Sequence, residues 1–221
     1  MVIGDKSVFW QALIFTIIIF GIGLLLGYYL ELSRANTIEL NLLSSEINLL
    51  DEQMRGRIVE GSNLSCAIAK GSTFAFADKI YEEAIKLEKY DSSSKFNREM
   101  MIVLHKRYDL LRTMLWDESM KLKKKCPDFH TVVYFFDYAT EDIELEGRQS
   151  FFSNLLLDTK NNNPSKILLI PISTNLELAS VEVVIENYGI ESTPSVLIDE
   201  KRIVDEIVTL EEMEALIFSR K

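Results

Sequence analysis

From Ser7 to Leu30 the chain carries no charged residue, and most positions are Ile, Leu, Phe, Val or Gly. About 20 apolar residues in a helix span the hydrocarbon of a bilayer, so the run is long enough to cross with some tilt. Trp10 near one end and Tyr28–Tyr29 at the other match the aromatic belts of a membrane helix. A cleaved signal peptide would have an apolar stretch of about 7–15 residues and a small-residue cleavage site. This run is longer, and Gly27–Tyr28–Tyr29–Leu30 makes a poor site. Residues 7–30 are therefore expected to be an uncleaved, single-pass anchor in the cell membrane. Lys6 and the N-terminal amine flank one side and Arg34 the other, nearly a tie by the positive-inside rule. The balance leans towards a cytoplasmic N-terminus, which puts everything after Leu30 outside the cytoplasm.

Residues 31–127 read as helical. Leu32 to Arg57 carries Ile38, Leu42, Ile47, Leu50 and Met54 at mostly helical spacing, and Gly61–Ser62 breaks the pattern. Ser62 or Asn63 is placed to cap a second helix reaching Tyr90, with Leu64, Ile68, Ile80, Ala84 and Leu87 on its apolar side. Asp91–Ser94 reads as a polar turn. A third helix over 95–125 has the cleanest stripe: Phe96, Met100, Leu104, Tyr108, Leu111, Leu115 and Leu122. Three such stripes make an antiparallel hairpin or bundle; a coiled coil between chains, and hence an oligomer, is the alternative. Lys121, Lys123, Lys124 and Lys125 complement the dipole at the end of that helix, before Cys126–Pro127 stops it.

Residues 128–221 change character. Thr131–Phe136 is β-branched and aromatic, as a strand buried on both faces requires. A helix over 145–159, a strand over 167–170, a helix over 176–188, a strand over 196–198, a strand over 203–208 and a last helix capped by Thr209 follow. The order β-α-β-α-β-β-α predicts a four-stranded mixed sheet with helices on both faces. The expected fold class is thus α/β: an N-terminal transmembrane helix, a helical segment and this C-terminal domain.

Tyr188–Gly189–Ile190–Glu191–Ser192–Thr193–Pro194–Ser195 ends a helix and sets a proline just before an apolar strand. Together with the strand order, this loop resembles the cis-proline loop of the thioredoxin superfamily, and the whole chain a membrane-anchored thioredoxin-like protein. The resemblance implies a Cys-x-x-Cys where the first strand meets the following helix. Thr140 and Ile143 stand there instead, among Glu141, Asp142, Glu144 and Glu146. Neither residue forms a thiolate, so the family's dithiol exchange is not expected. What the resemblance leaves is a redox-inactive protein-binding or scaffolding module, probed at Thr140, Ile143, Thr193 and Pro194, and not an enzyme.

The two cysteines, Cys66 and Cys126, come near the start of the second helix and the end of the third. Antiparallel neighbours would bring them to one end, where a bridge is worth about 4 kcal/mol in the chain-entropy model. Two unpaired thiols are the other reading, and a thiol–disulfide enzyme built on this pair is the functional alternative. His105 and His130 show no partner in sequence, no metal-ligand spacing occurs, and no cofactor motif is present. The expected partners are the membrane and another polypeptide. A net charge of −10 argues against a nucleic-acid surface.

Overall fold

The strand that the rest packs around is β1 (His130–Phe136), in which Val132, Val133, Tyr134 and Phe135 are all buried. In this computed structural model, which describes residues 5–61, 64–93 and 98–219, the sheet order is β2-β1-β3-β4. β1 pairs in parallel with β2 (Ile167–Ser173) and antiparallel with β3 (Ser195–Ile198). β3 pairs antiparallel with β4 (Arg202–Val204). A strand lining both faces needs helices on both. Val132 and Tyr134 join a core with Phe152, Leu155 and Leu156 of α4 (Ile143–Asn162) and Met213 and Ile217 of α6 (Leu210–Phe218). On the other face Phe135 meets Trp116 of α3 (Arg98–Lys125), whose ring also meets Tyr188 of α5 (Ala179–Tyr188).

The protein is mixed α/β, mostly helical, with one four-stranded sheet and one apolar N-terminal helix. α1 (Asp5–Gly61) is unbroken, and α2 spans Cys66–Ser93. The chain divides into two compact units, Met1–Asp51 and Glu52–Lys221. In the first, Phe9–Glu31 is long and apolar enough to cross a membrane, with a mean hydropathy of 2.4 and none of it buried by protein. In the second, the last turns of α1 join α2, α3 and the sheet domain.

Several expected details differ. Asp91–Ser93 continues α2 rather than turning. Ser62 and Asn63, the expected caps, and Phe96 lie outside the described residues. On α1, Ile47, Leu50 and Met54 are more than half exposed, while Glu52 and Gly56 are buried. The face that α1 turns inward there is polar, so an apolar stripe was the wrong guide. On α2, Ile80 is buried but Ile68 is 60% exposed, and Phe74 and Phe76 fill the interior instead. α3 buries Met101 and Trp116 beyond its stripe, because α2 and the sheet cover it from two sides. β4 stops at Val204, four residues short of the expected strand.

Local chemistry fixes the ends. Gly189 closes α5 in the left-handed region at φ 67°, where a side chain is disfavoured. Ile190 N–H then donates to Ile185 O at 3.0 Å. At α6 the Thr209 side chain accepts from Glu212 N–H while Glu212 accepts from Thr209 N–H at 2.8 Å, a reciprocal capping box. Replacing Thr209 by Ala should cost about 1 kcal/mol, read as an earlier urea midpoint with an unchanged slope.

Candidate functional site

Of the residues singled out in sequence, Thr140 and Ile143 follow the carboxyl end of β1, and Thr193 and Pro194 stand just before β3. Thr193–Pro194 is a cis peptide, and Pro194 is buried. Thr193 Oγ1 donates to Asp137 Oδ1 at 3.1 Å, and Thr174 Oγ1 donates to the same oxygen at 2.5 Å. Thr140 accepts from Asp142 N–H at 3.2 Å, within its own turn. Ile143 opens α4 with 83% of its surface exposed. Two side-chain amides clamp the strand ends here. Gln149 accepts from Asp137 N–H at 2.5 Å and donates to Asp137 O at 3.1 Å. Asn175 accepts from Tyr138 N–H at 2.8 Å and donates to Tyr138 O at 2.9 Å. Each clamp reproduces the paired bonds of a strand ladder, so this end is built to close loops. Of the acids around it, Asp142 has a structural role: it caps α4 by accepting from Glu144 and Leu145 N–H.

Cys66 and Cys126 are bonded to each other, tying the start of α2 to the residue after α3 across 60 positions. Among the described residues, no group of three or more His, Cys, Asp or Glu is placed to hold a metal ion.

The denser polar constellation lies at the opposite end of the sheet, where β1 starts and β3 ends. The turn from β3 to β4 carries Asp199 and Glu200 at φ 52° and 58°, two adjacent non-glycine residues in the left-handed region. Each such residue costs on the order of 1 kcal/mol, and the surroundings must offset that cost. They do so through charge. Asp199 Oδ2 lies 2.6 Å from His130 Nδ1, and its Oδ1 accepts from Lys123 Nζ at 2.7 Å and Thr131 N–H at 3.1 Å. Glu200 accepts from Lys123 at 2.9 Å, from the Trp116 indole at 2.9 Å and from the Thr131 hydroxyl at 2.5 Å. Lys123 completes its three donors on Thr131 Oγ1 at 2.9 Å. The left-handed turn is what aims both carboxylates inward.

Burial alone would raise the Asp199 carboxyl. The hydrogen bonds and charges of His130 and Lys123 outweigh it and pull the group down to about 2. In the neutral form of the ring an ionised Asp199 places the proton on Nδ1, which leaves Nε2 without one. The imidazole is 30% exposed and so reachable from solvent, with the Phe218 ring edge-on at 5.2 Å. A carboxylate that orients imidazole in this tautomer equips it to take a proton from water or a hydroxyl. Lys123, with all three donors engaged, acts as counter-charge rather than as a reagent.

Sequence reasoning dismissed His130 for want of a partner, because its partner lies 69 residues away. A signal was present nonetheless. Asp199–Glu200–Lys201 turns one strand into the next with no glycine or asparagine to ease a positive φ. Of the lysines expected to serve the α3 dipole, Lys123 belongs to this centre and Lys121 pairs with Asp117 at 3.0 Å.

No family model and no solved structure matches the chain. Among curated proteins it is similar to a D-aminoacyl-tRNA deacylase of Syntrophomonas wolfei subsp. wolfei, 26% identical over 136 residues. The match covers 57% of this chain and 89% of that protein. That protein has a different fold from thioredoxin, so the likeness overturns the expected membership of the thioredoxin superfamily. It equally overturns the reading as a redox-inactive binding or scaffolding module and its thiol–disulfide alternative on Cys66 and Cys126. The proline loop that suggested both is a short feature, whereas the likeness extends over more than half of the chain.

Asp199 has a depressed folded-state value, so its contribution is present above the unfolded carboxylate range and is lost as pH falls through about 2. Asp199→Asn should therefore destabilise the protein at pH 7 by about 1 kcal/mol, once solvent screening is allowed for. The gap from the natural protein should close between about pH 4 and pH 2, followed by urea unfolding at each pH.

Proposed function

We propose that this protein is a membrane-anchored hydrolase-type enzyme that cleaves an ester-linked acyl group, with His130 as general base and Asp199 as the residue orienting it. The observation that carries the proposal is the 2.6 Å contact between Asp199 and His130 Nδ1, on a turn held in the left-handed region. The likeness to a D-aminoacyl-tRNA deacylase supports the class of reaction. Nε2 of His130 takes the proton of a water as that water adds to the ester carbonyl, and returns it to the departing alcohol. Asp199 holds the tautomer and stabilises the imidazolium formed in between. Lys123 keeps Asp199 ionised without entering the reaction.

The substrate is narrowed by charge. A chain of net charge −10 and pI near 4.8 repels a polyanion the size of tRNA. The reading therefore centres on the acyl ester itself, carried by a small alcohol. Phe9–Glu31 serves as the single-pass anchor. The Cys66–Cys126 bond is a structural staple in this reading. Its persistence fits a second unit held outside the cytoplasm, where disulfides last. The residues Thr140, Ile143, Thr193 and Pro194 mark the clamped end of the sheet, away from the reacting groups.

The test uses the full chain in detergent micelles with small aminoacyl esters, D and L, and with D-aminoacyl-tRNA. Hydrolysis of the small esters is expected, falling about a hundredfold or more in His130→Asn. Equal turnover by His130→Asn and the natural protein removes the assignment. Turnover of the charged tRNA with none of the small esters would show that charge does not limit the substrate. Accessibility labelling of introduced cysteines in intact cells checks the topology, and labelling of the second unit only after lysis would reverse it.

A further inference from the structure

A second buried ionic cluster lies apart from this centre, where the last turns of α1 meet α3. Arg55 holds Glu52 through both Nε and Nη2, with Nε to Glu52 Oε2 at 2.6 Å. The same Nη2 donates to Glu118 Oε2 of α3 at 2.5 Å, and Nη1 donates to Thr73 of α2 at 3.2 Å. Glu52 is fully buried and the Glu118 side chain is 16% exposed. Two carboxylates thus share one guanidinium in a setting that penalises an unbalanced charge. Among the described residues Arg57 and Lys121 are the other cations lining the same pocket as Glu118, and Lys121 pulls the Glu118 carboxyl down less than Arg55 does. Lys121, on α3, is drawn off by Asp117 at 3.0 Å and Glu60 at 3.7 Å, and α2 supplies the Thr73 hydroxyl and the Phe76 ring under Arg55. Gly56 belongs to the same arrangement, because a Cβ there would overlap the Glu118 carboxylate. The seat of the Glu118 carboxylate, rather than the spacing of the helices, depends on that missing side chain.

We propose that Glu52, Arg55 and Glu118 form a proton-operated latch that fastens the C-terminal turns of α1 to α3, tight when the two carboxylates share a proton and progressively weaker as it is lost. The charge balance is met when one proton joins the three groups, since one cation then faces one anion. Burial and the neighbouring Glu52 push the Glu118 carboxyl up to about 8, against the pull of Arg55. A folded value above the ordinary carboxylate range has a definite sign. The closed latch binds a proton that the open one releases, so closure is favoured at acid pH and loses ground as pH rises towards 8. Above that value both states are ionised and the dependence ends.

Hydrogen exchange of the amides in 52–61, on the full chain in micelles and corrected for the intrinsic pH dependence of exchange, reads the latch directly. The opening constant should rise between pH 5.5 and 8 by up to about tenfold per pH unit, the slope of a single proton, and level off above. Glu118→Gln, which keeps the shape and removes the titration, should be flat across the range. A flat natural protein, or a Glu118→Gln variant with the natural slope, overturns the proposal. Should Glu118→Gln fail to fold, Glu52→Gln takes its place, with a flat profile in support and the natural slope against. Gly56→Ala adds a geometric control. It favours helix yet should lower protection at pH 5.5, and unchanged protection there counts against the latch.

Discussion

β1 sets the terms for the whole second unit. A strand buried on both faces has no solvent to fall back on, so each face must be covered by a helix and each edge by another strand. Parallel pairing with β2 requires a crossover, which α4 supplies, and antiparallel pairing with β3 frees the other edge for the β3–β4 turn. α4 and α6 take one face while α3 takes the other through Trp116. Two polar networks occupy the two ends of the sheet, and these ends are built differently.

At the carboxyl ends of β1 and β2, side-chain amides satisfy the backbone and leave a closed surface. At the far end the backbone is bent into an unfavourable region so that Asp199 and Glu200 face inward. Such strain persists only where surrounding interactions over-determine it. Lys123, Trp116, Thr131 and His130 do that here, and among them His130 alone retains an unengaged basic nitrogen once Asp199 fixes its tautomer. One network therefore fastens α3 to the sheet and presents an oriented imidazole.

The order of elements was legible from periodicity. The run 131–136, the helices around 145–159 and 176–188 and the Thr209 capping box all follow local rules that need no distant partner. The helical segment was less legible. Ile47, Leu50 and Met54 mark an apolar stripe, yet α1 packs through Glu52, Arg55 and Gly56, because a guanidinium shared by two carboxylates can replace hydrophobic contact. No periodicity in sequence encodes such a triad. The proline loop was found correctly as a loop but misled as to kinship, since a few residues of local geometry say little about descent.

By itself the sequence determined where the chain is apolar, where it bends and what its net charge permits. Those properties are set by residues within a turn or two of one another. It could not determine that Asp199 meets His130, that Arg55 bridges Glu52 to Glu118, or that Cys66 bonds Cys126. These pairings span 69, 63 and 60 positions in turn, the second counted along the Arg55–Glu118 bond. Only the closing of the sheet and the packing of α3 across it bring such groups within reach. Their chemistry arises from desolvation and charge balance, which exist only once the fold has excluded water.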